Sequence, residues 1–382
     1  MISIFSMTSV IIQTLVLFNA NGAVVSQFYR VGLEESKQLS RSGFFLMSIV
    51  AICVLAATIV MHMMFSSLWG LSLPWTIGCV LIASLNAAFT FGLKIQQMQE
   101  KALSYAKYQV SLASTSAAIS LYLVIVKSAG WQGRAGAMII SSAICGAVMI
   151  TNLRRHGWIR VASFPTRKAL KPVLDYSLPL LPHSLAGLAS SMADRMYIGF
   201  LSTTATLGIY SVGTQLASIL SLAFGAYNLA FAPWLFRKLS TKDAREYREA
   251  RIATVASCAG ILISGIALAT FLPLVLPLFV GNRFASAAQI IPILLGAAAF
   301  DAMAKMFQFY LAFAQVTGKI SQITVAGLII TAVLMTYLVP RYAATGAASA
   351  LLITNMFVFL LSLRSALGIQ ILLSKALEPP KS

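Results

Sequence analysis

Residues 43–65 read GFFLMSIVAICVLAATIVMHMMF. The stretch holds no Asp, Glu, Lys or Arg, and His62 is its only ionisable group. About 20 apolar residues suffice for a helix to cross a bilayer, so this segment predicts a transmembrane helix. Similar runs recur on both sides of it. They predict eleven spans: 3–25, 43–65, 74–93, 106–127, 135–153, 176–201, 208–236, 252–280, 288–313, 322–339 and 346–363. The whole chain agrees with the local reading. Of 382 residues 59% are hydrophobic and 10% charged, against about a quarter charged in a soluble domain. A mean hydropathy of +0.85 leaves little hydrated surface. This excludes a soluble globular protein, a disordered chain and a disulfide scaffold. The expected fold is an all-α polytopic membrane protein with about eleven transmembrane helices in two bundles.

The net charge of +18 would suggest nucleic acid in a soluble chain; here it sets topology. Of the 28 basic residues, 22 fall in alternate loops. Arg30, Lys37 and Arg41 follow the first span, and Lys94, Lys101 and Lys107 the third. Arg154, Arg155, Arg160, Arg167, Lys168 and Lys171 follow the fifth, and Arg237, Lys238, Lys242, Arg245, Arg248 and Arg251 the seventh. Lys319 and then Arg364, Lys375 and Lys381 complete the set. The intervening loops carry Lys127, Arg134, Arg283 and Arg341, while Arg195 and Lys305 lie within spans. The positive-inside rule places the richer set in the cytoplasm, with the C-terminus inside and the N-terminus periplasmic. The first basic residue is Arg30, so the start lacks the charged region of a cleavable signal. Cys53, Cys79, Cys145 and Cys258 lie within spans without metal-ligand spacing and read as packing residues.

The basic stretch 154–171 predicts a cytoplasmic linker between lobes 1–153 and 172–364, with 365–382 as a tail. The segment RKLSTKDAREYREAR at 237–251 carries charge at helical spacing, as an amphipathic surface helix would. Short matches link the halves. Ser9-Val10 with Gln13 and Gly22 parallels Ser211-Val212 with Gln215 and Gly225, and Ala135-Gly136-Ala137 parallels Thr345-Gly346-Ala347. Their order predicts a parallel repeat of six plus six helices, with the helix equivalent to 176–201 missing from the first half.

Ionisable groups at membrane depth are functional candidates because each costs roughly 2.5–3.5 kcal/mol on insertion. Asp301, Lys305 and Gln308 are four and three residues apart and share a helix face. They read either as a cavity lining or as a self-neutralised pair that aids packing. His183 and Asp194 share another face, eleven residues apart, and Arg195 points about 100° away. Arg195 suits a phosphate, the opposite lobe or the interface, to which it would snorkel. Gln215 is a candidate cavity residue, or an interhelical hydrogen-bonding group like Gln13, Asn86, Gln109 and Asn228. Pro179 and Pro182 free backbone groups and predict a kink, as a hinge or a bent approach. No phosphate-binding loop, arginine ladder or large outer loop is visible. The reading is therefore a transporter, not an enzyme, with no catalytic or metal site and no cofactor beyond proton or sodium coupling.

Several stretches resemble a known family. Asp175-Tyr176-Ser177-Leu178-Pro179-Leu180-Leu181-Pro182, then Asp194-Arg195, Gly208-Ile209-Tyr210-Ser211 and Ala232-Pro233, are similar to the polysaccharide flippases. These include the O-antigen flippases of the multidrug/oligosaccharidyl-lipid/polysaccharide exporter superfamily. Pro340-Arg341-Tyr342 with Gly346-Ala347-Ala348, and Gly133 with Gly136, resemble it too. The resemblance implies two bundles around a central cavity and alternating access. It implies movement of an undecaprenyl-pyrophosphate-linked oligosaccharide across the bacterial inner membrane for O-antigen, lipopolysaccharide or other surface polysaccharide. The first span looks like the family's second helix, as a missing first helix requires. Asp194-Arg195 matches a recurrent family pair, whereas Asp301 and Lys305 rest on the residues alone. Implied partners are the lipid-linked oligosaccharide, membrane lipids, a polysaccharide polymerase and a chain-length regulator, with no nucleic acid. The alternatives are a drug/cation antiporter of the same superfamily, with Asp194 or Asp301 holding the cation, and a non-transporting glycan-assembly scaffold.

Overall fold

The computed structural model describes residues 1–64, 71–160, 165–241, 243–280 and 286–375. Lys242, Arg283 and Lys381 lie outside the described residues, as does the side chain of Arg195. Among the described residues the chain is helical throughout, with no strand. Its elements are α1 (Ile2–Leu17), α2 (Ala20–Val31), α3 (Leu33–Met64), α4 (Leu73–Met98), α5 (Ala102–Leu121), α6 (Gly130–Arg155), α7 (Arg167–Leu201), α8 (Thr204–Ser240), α9 (Ala244–Val280), α10 (Ala287–Phe313) and α11 (Thr317–Lys375). A π-helical turn, Tyr122–Val126, ends α5. The protein is a multi-pass membrane protein. Nine helical stretches among the described residues, one of them α1 and α2 together, are long and apolar enough to cross a bilayer.

The eleven expected spans map onto these helices with two departures in detail. The first span is broken: Phe18 and Asn19 take φ of 48° and 53°, and separate α1 from α2. Asn tolerates the left-handed region better than other non-glycine residues, and Asn19 was the available signal. The last two spans are merged in α11, whose backbone turns at Ala343 (φ 49°, ψ −128°). Pro340 lies three residues before this turn; lacking an N–H for the i→i−4 ladder, it weakens the helix where the first arm ends.

Two compact units are present, Met1–Leu181 and Pro182–Ser382. Their division falls within α7, beside Pro179 and Pro182. In the first unit α4 packs against α1, α2, α3 and α6, and 67% of its span is buried, against 11% for α3 and none for α5. In the second, α10 plays that part against α8, α9 and α11, with 61% buried. The outer helices expose apolar side chains such as Met63 and Leu274; in lipid this is the favourable arrangement, because the surrounding acyl chains are as apolar as the side chains and keep them out of water.

Within each unit the basic loops gather at one end. Tyr29 Oη donates to the Met98 carbonyl at 2.7 Å, and Arg41 donates twice to the Gly157 carbonyl at 2.9 and 3.1 Å. Trp158 and Ile159 are buried, so this part of the 154–171 stretch is packed structure. In the second unit Tyr247 Oη donates to the Gln370 carbonyl at 3.0 Å. The expected surface helix over 237–251 is corrected. These residues instead form the ends of α8 and α9, clamped by Lys238 on Glu246 (2.5 Å) and Glu249 (2.9 Å). Two long helices that both continue past the apolar boundary leave only three residues between them, too few for a third element.

Candidate functional site

The second unit encloses an open cavity of about 520 Å³, lined by α7, α8, α10 and α11. From α7 come His183, Gly187, Ser190 and Asp194, at offsets of four, seven and eleven residues, which is one helix face. From α10 come Ala297, Ala298, Asp301, Lys305 and Gln308, again one face. Five residues singled out from the sequence on two separate helices thus line one cavity. Gln215 is not among the lining residues: it is exposed, about 100° round α8 from Thr214. Pro179 and Pro182 lie in α7, which continues through both as helix.

The charged groups are held in distinct ways. Lys305 Nζ sits 2.6 Å from Asp301 Oδ2, one turn apart on α10. Their side chains are 50% and 40% exposed, so the pair faces open space in the cavity. Asp194 accepts a hydrogen bond from the fully buried Tyr210 of α8 at 2.9 Å. Gln308 Nε2 donates to Ser362 Oγ at 3.2 Å, tying α10 to α11. His183 Nδ1 lies 2.6 Å from Thr324 Oγ1 of α11.

Sequence reading missed the polar wall around these groups. Thr214, Ser218 and Ser221 come from α8, and Thr324, Thr331, Thr354 and Asn355 from α11. Asn355 Nδ2 donates to the Ala297 carbonyl at 2.9 Å, and Thr331 Oγ1 to Thr354 Oγ1 at 3.2 Å. The usable signal was small and hydroxylated residues at three- and four-residue spacing within apolar runs. Tyr210 was quoted as part of a motif, but its link to Asp194 needs two helices side by side. Removing that hydroxyl by Tyr210→Phe should leave Asp194 short of a donor and destabilise the protein by about 1–3 kcal/mol. Thermal unfolding of the purified variant checks this; an unchanged midpoint would show that Asp194 does not depend on Tyr210.

Chemically, this is an open chamber between apolar helices, lined with hydroxyls, two amides, an imidazole, two carboxylates and one ammonium group. It suits a polar, multiply hydroxylated guest. Among the described residues no group of His, Cys, Asp and Glu is placed to hold a metal.

Comparison with known proteins follows from this geometry. Residues 3–239 match the family model described as polysaccharide biosynthesis protein. Over 166 residues, 42% of this chain, it is 29% identical to Lsg locus putative protein 1 of Haemophilus influenzae. Over 222 residues, 57% of the chain, it is 26% identical to an uncharacterized membrane protein of the same organism. The matches span 41% and 52% of those relatives' own lengths, about half or less. Among solved structures, the Vibrio cholerae MATE transporter VcmN superposes with a TM-score of 0.78 at 15% identity, over 98% of this chain and 88% of that one. A MOP superfamily transporter from Pyrococcus furiosus, whose binding pocket is described as having reverse polarity, gives 0.72 at 13% identity, over 99% and 88%. These structures share the fold of this chain.

Proposed function

From the premise that this chain belongs to the polysaccharide biosynthesis protein family, we propose that it is a flippase for a polyprenyl-pyrophosphate-linked oligosaccharide. It would carry the glycan from the cytoplasmic to the periplasmic leaflet of a bacterial inner membrane by alternating access. Coupling to a proton or sodium gradient supplies the driving force. The supporting observation is the cavity of the second unit. Its wall of serine, threonine and asparagine side chains surrounds the Asp301–Lys305 pair. Sugars present hydroxyls that both donate and accept, and such a wall replaces the hydrogen bonds lost with water. Several of these groups already donate within the protein, so what the wall offers a guest is chiefly acceptor oxygens for its hydroxyls.

A second reading has its own support. The lining residues include Asp194 and Asp301 against a single lysine, which favours a cationic guest and hence a drug/cation antiporter. A non-transporting scaffold remains the third. Reconstitution separates them: the full chain in proteoliposomes should move a fluorescent undecaprenyl-pyrophosphate oligosaccharide between leaflets and leave ethidium distribution unchanged. Ethidium transport without glycan movement would favour the antiporter, and neither activity the scaffold.

A further inference from the structure

The proposed role of the cavity leaves open what its histidine does. His183 Nδ1 lies 2.6 Å from Thr324 Oγ1, and that hydroxyl donates to the Ile320 carbonyl at 3.0 Å. A threonine hydroxyl has one hydrogen. Both contacts are satisfied together when the hydroxyl donates to Ile320 and accepts from the ring, which puts the proton of the neutral imidazole on Nδ1. The Nε2 lone pair is then the unprotonated position. His183 lines the same chamber as Asp301 and Lys305.

We infer that His183 is a proton-binding site of the cavity, taking up a proton at Nε2 while Nδ1 stays anchored on Thr324. The anchored tautomer makes uptake a change at one atom, with no ring flip. The imidazolium then carries positive charge into a chamber where Asp301 is held by Lys305, so it competes with Lys305 for the carboxylate and leaves the ammonium freer to meet a guest. The charged groups that face this chamber are Asp194 from the same helix and Asp301 and Lys305 from α10. Among the described lining residues, α8 and α11 contribute no ionisable group. The inference rests on the transport reading for its purpose and names the proton as the coupling ion, but the proton site stands on the local geometry alone.

The chain has three histidines, His62, His156 and His183, so the ring can be watched directly. In the full chain, labelled with ¹⁵N and ¹³C at histidine and reconstituted in a bilayer, His183→Gln assigns the resonance. Should that variant not fold, His62→Asn and His156→Asn assign it by elimination. Neutral His183 is expected as the Nδ1–H tautomer and should take up a proton reversibly as the pH is lowered. Lys305→Met should move its midpoint to higher pH by about one unit, because a neighbouring cation opposes protonation. A neutral ring protonated on Nε2, a ring that stays uncharged at every pH at which the protein remains folded, or a midpoint indifferent to Lys305→Met each overturns the site. The measurement contains no glycan, so its outcome is separate from that of the proteoliposome assay. Translocation failing while His183 titrates as described would overturn the flippase reading and leave the proton site in place.

Discussion

Replacing Lys305 with alanine is expected to stop export of surface polysaccharide while the protein still inserts and folds. Lys305 provides the one ammonium group among the described lining residues and holds Asp301 at 2.6 Å. The change removes a cation that a pyrophosphate or an acidic sugar would meet, and leaves Asp301 as an unpaired carboxylate at membrane depth. An isolated carboxylate there costs roughly 2.5–3.5 kcal/mol. That figure is an upper bound, because both side chains are about half exposed and water entering the chamber screens them. The stability loss should therefore be small and the functional loss near complete. Asp301→Asn combined with Lys305→Met removes both charges together and should recover the small stability loss; export restored by it would mean that the unpaired carboxylate, and not the missing ammonium, blocked the single variant. Surface glycan on gels and protein abundance by immunoblot are the two readouts. Normal export from a stably expressed Lys305→Ala variant would remove the pair from the site.

The largest structural effect is expected at Gly346. This residue lies three positions after the turn at Ala343, where α11 doubles back. A Cβ placed on Gly346 would run into the backbone carbonyl of Leu338, on the other arm of the turn. A carbonyl held in a helix cannot rotate away as a side-chain tip can. Beyond it Ala347, Ala348 and Ala350 are all fully buried, so the helix cannot slide outward either. Gly346→Ala should thus destabilise the protein by about 3 kcal/mol and lower its unfolding midpoint in detergent by roughly 5 °C or more. Gly260→Ala is the matched control. It lies in α9 with nothing within 4 Å of the added methyl, so it should be neutral or stabilise by up to about 1 kcal/mol. Equal midpoints for the two variants would mean that the α11 turn relaxes without penalty.

These two residues mark how far sequence alone could reach. The glycine-alanine-alanine passage at 346–348 was visible as a motif, but not its cause. The cause is an approach between two arms of one helix, and it depends on a turn at an alanine, a residue type that rarely takes positive φ. In the same way, periodicity placed Asp301, Lys305 and Gln308 on one face and His183 and Asp194 on another, because helical spacing is a local property. That the two faces line one chamber is a matter of helix packing, which no single segment encodes. Gln215 shows the converse: a polar residue in a span that faces away from the chamber, since polarity alone does not specify direction.

The amino-acid sequence by itself determined that this chain is a bundle of membrane-crossing helices and set the alternation of its basic loops. Both follow from solvation: apolar runs must leave water and charges must stay in it, whatever the neighbours do. Only the tertiary structure decided where the helices break, at Phe18–Asn19 and Ala343, and that 237–251 caps two spans and forms no surface helix. It also decided that hydroxyls from α8 and α11 complete the wall around Asp301 and Lys305. Those outcomes turn on distances between segments far apart in the chain, where close packing and hydrogen-bond pairing choose among arrangements that hydropathy leaves equal.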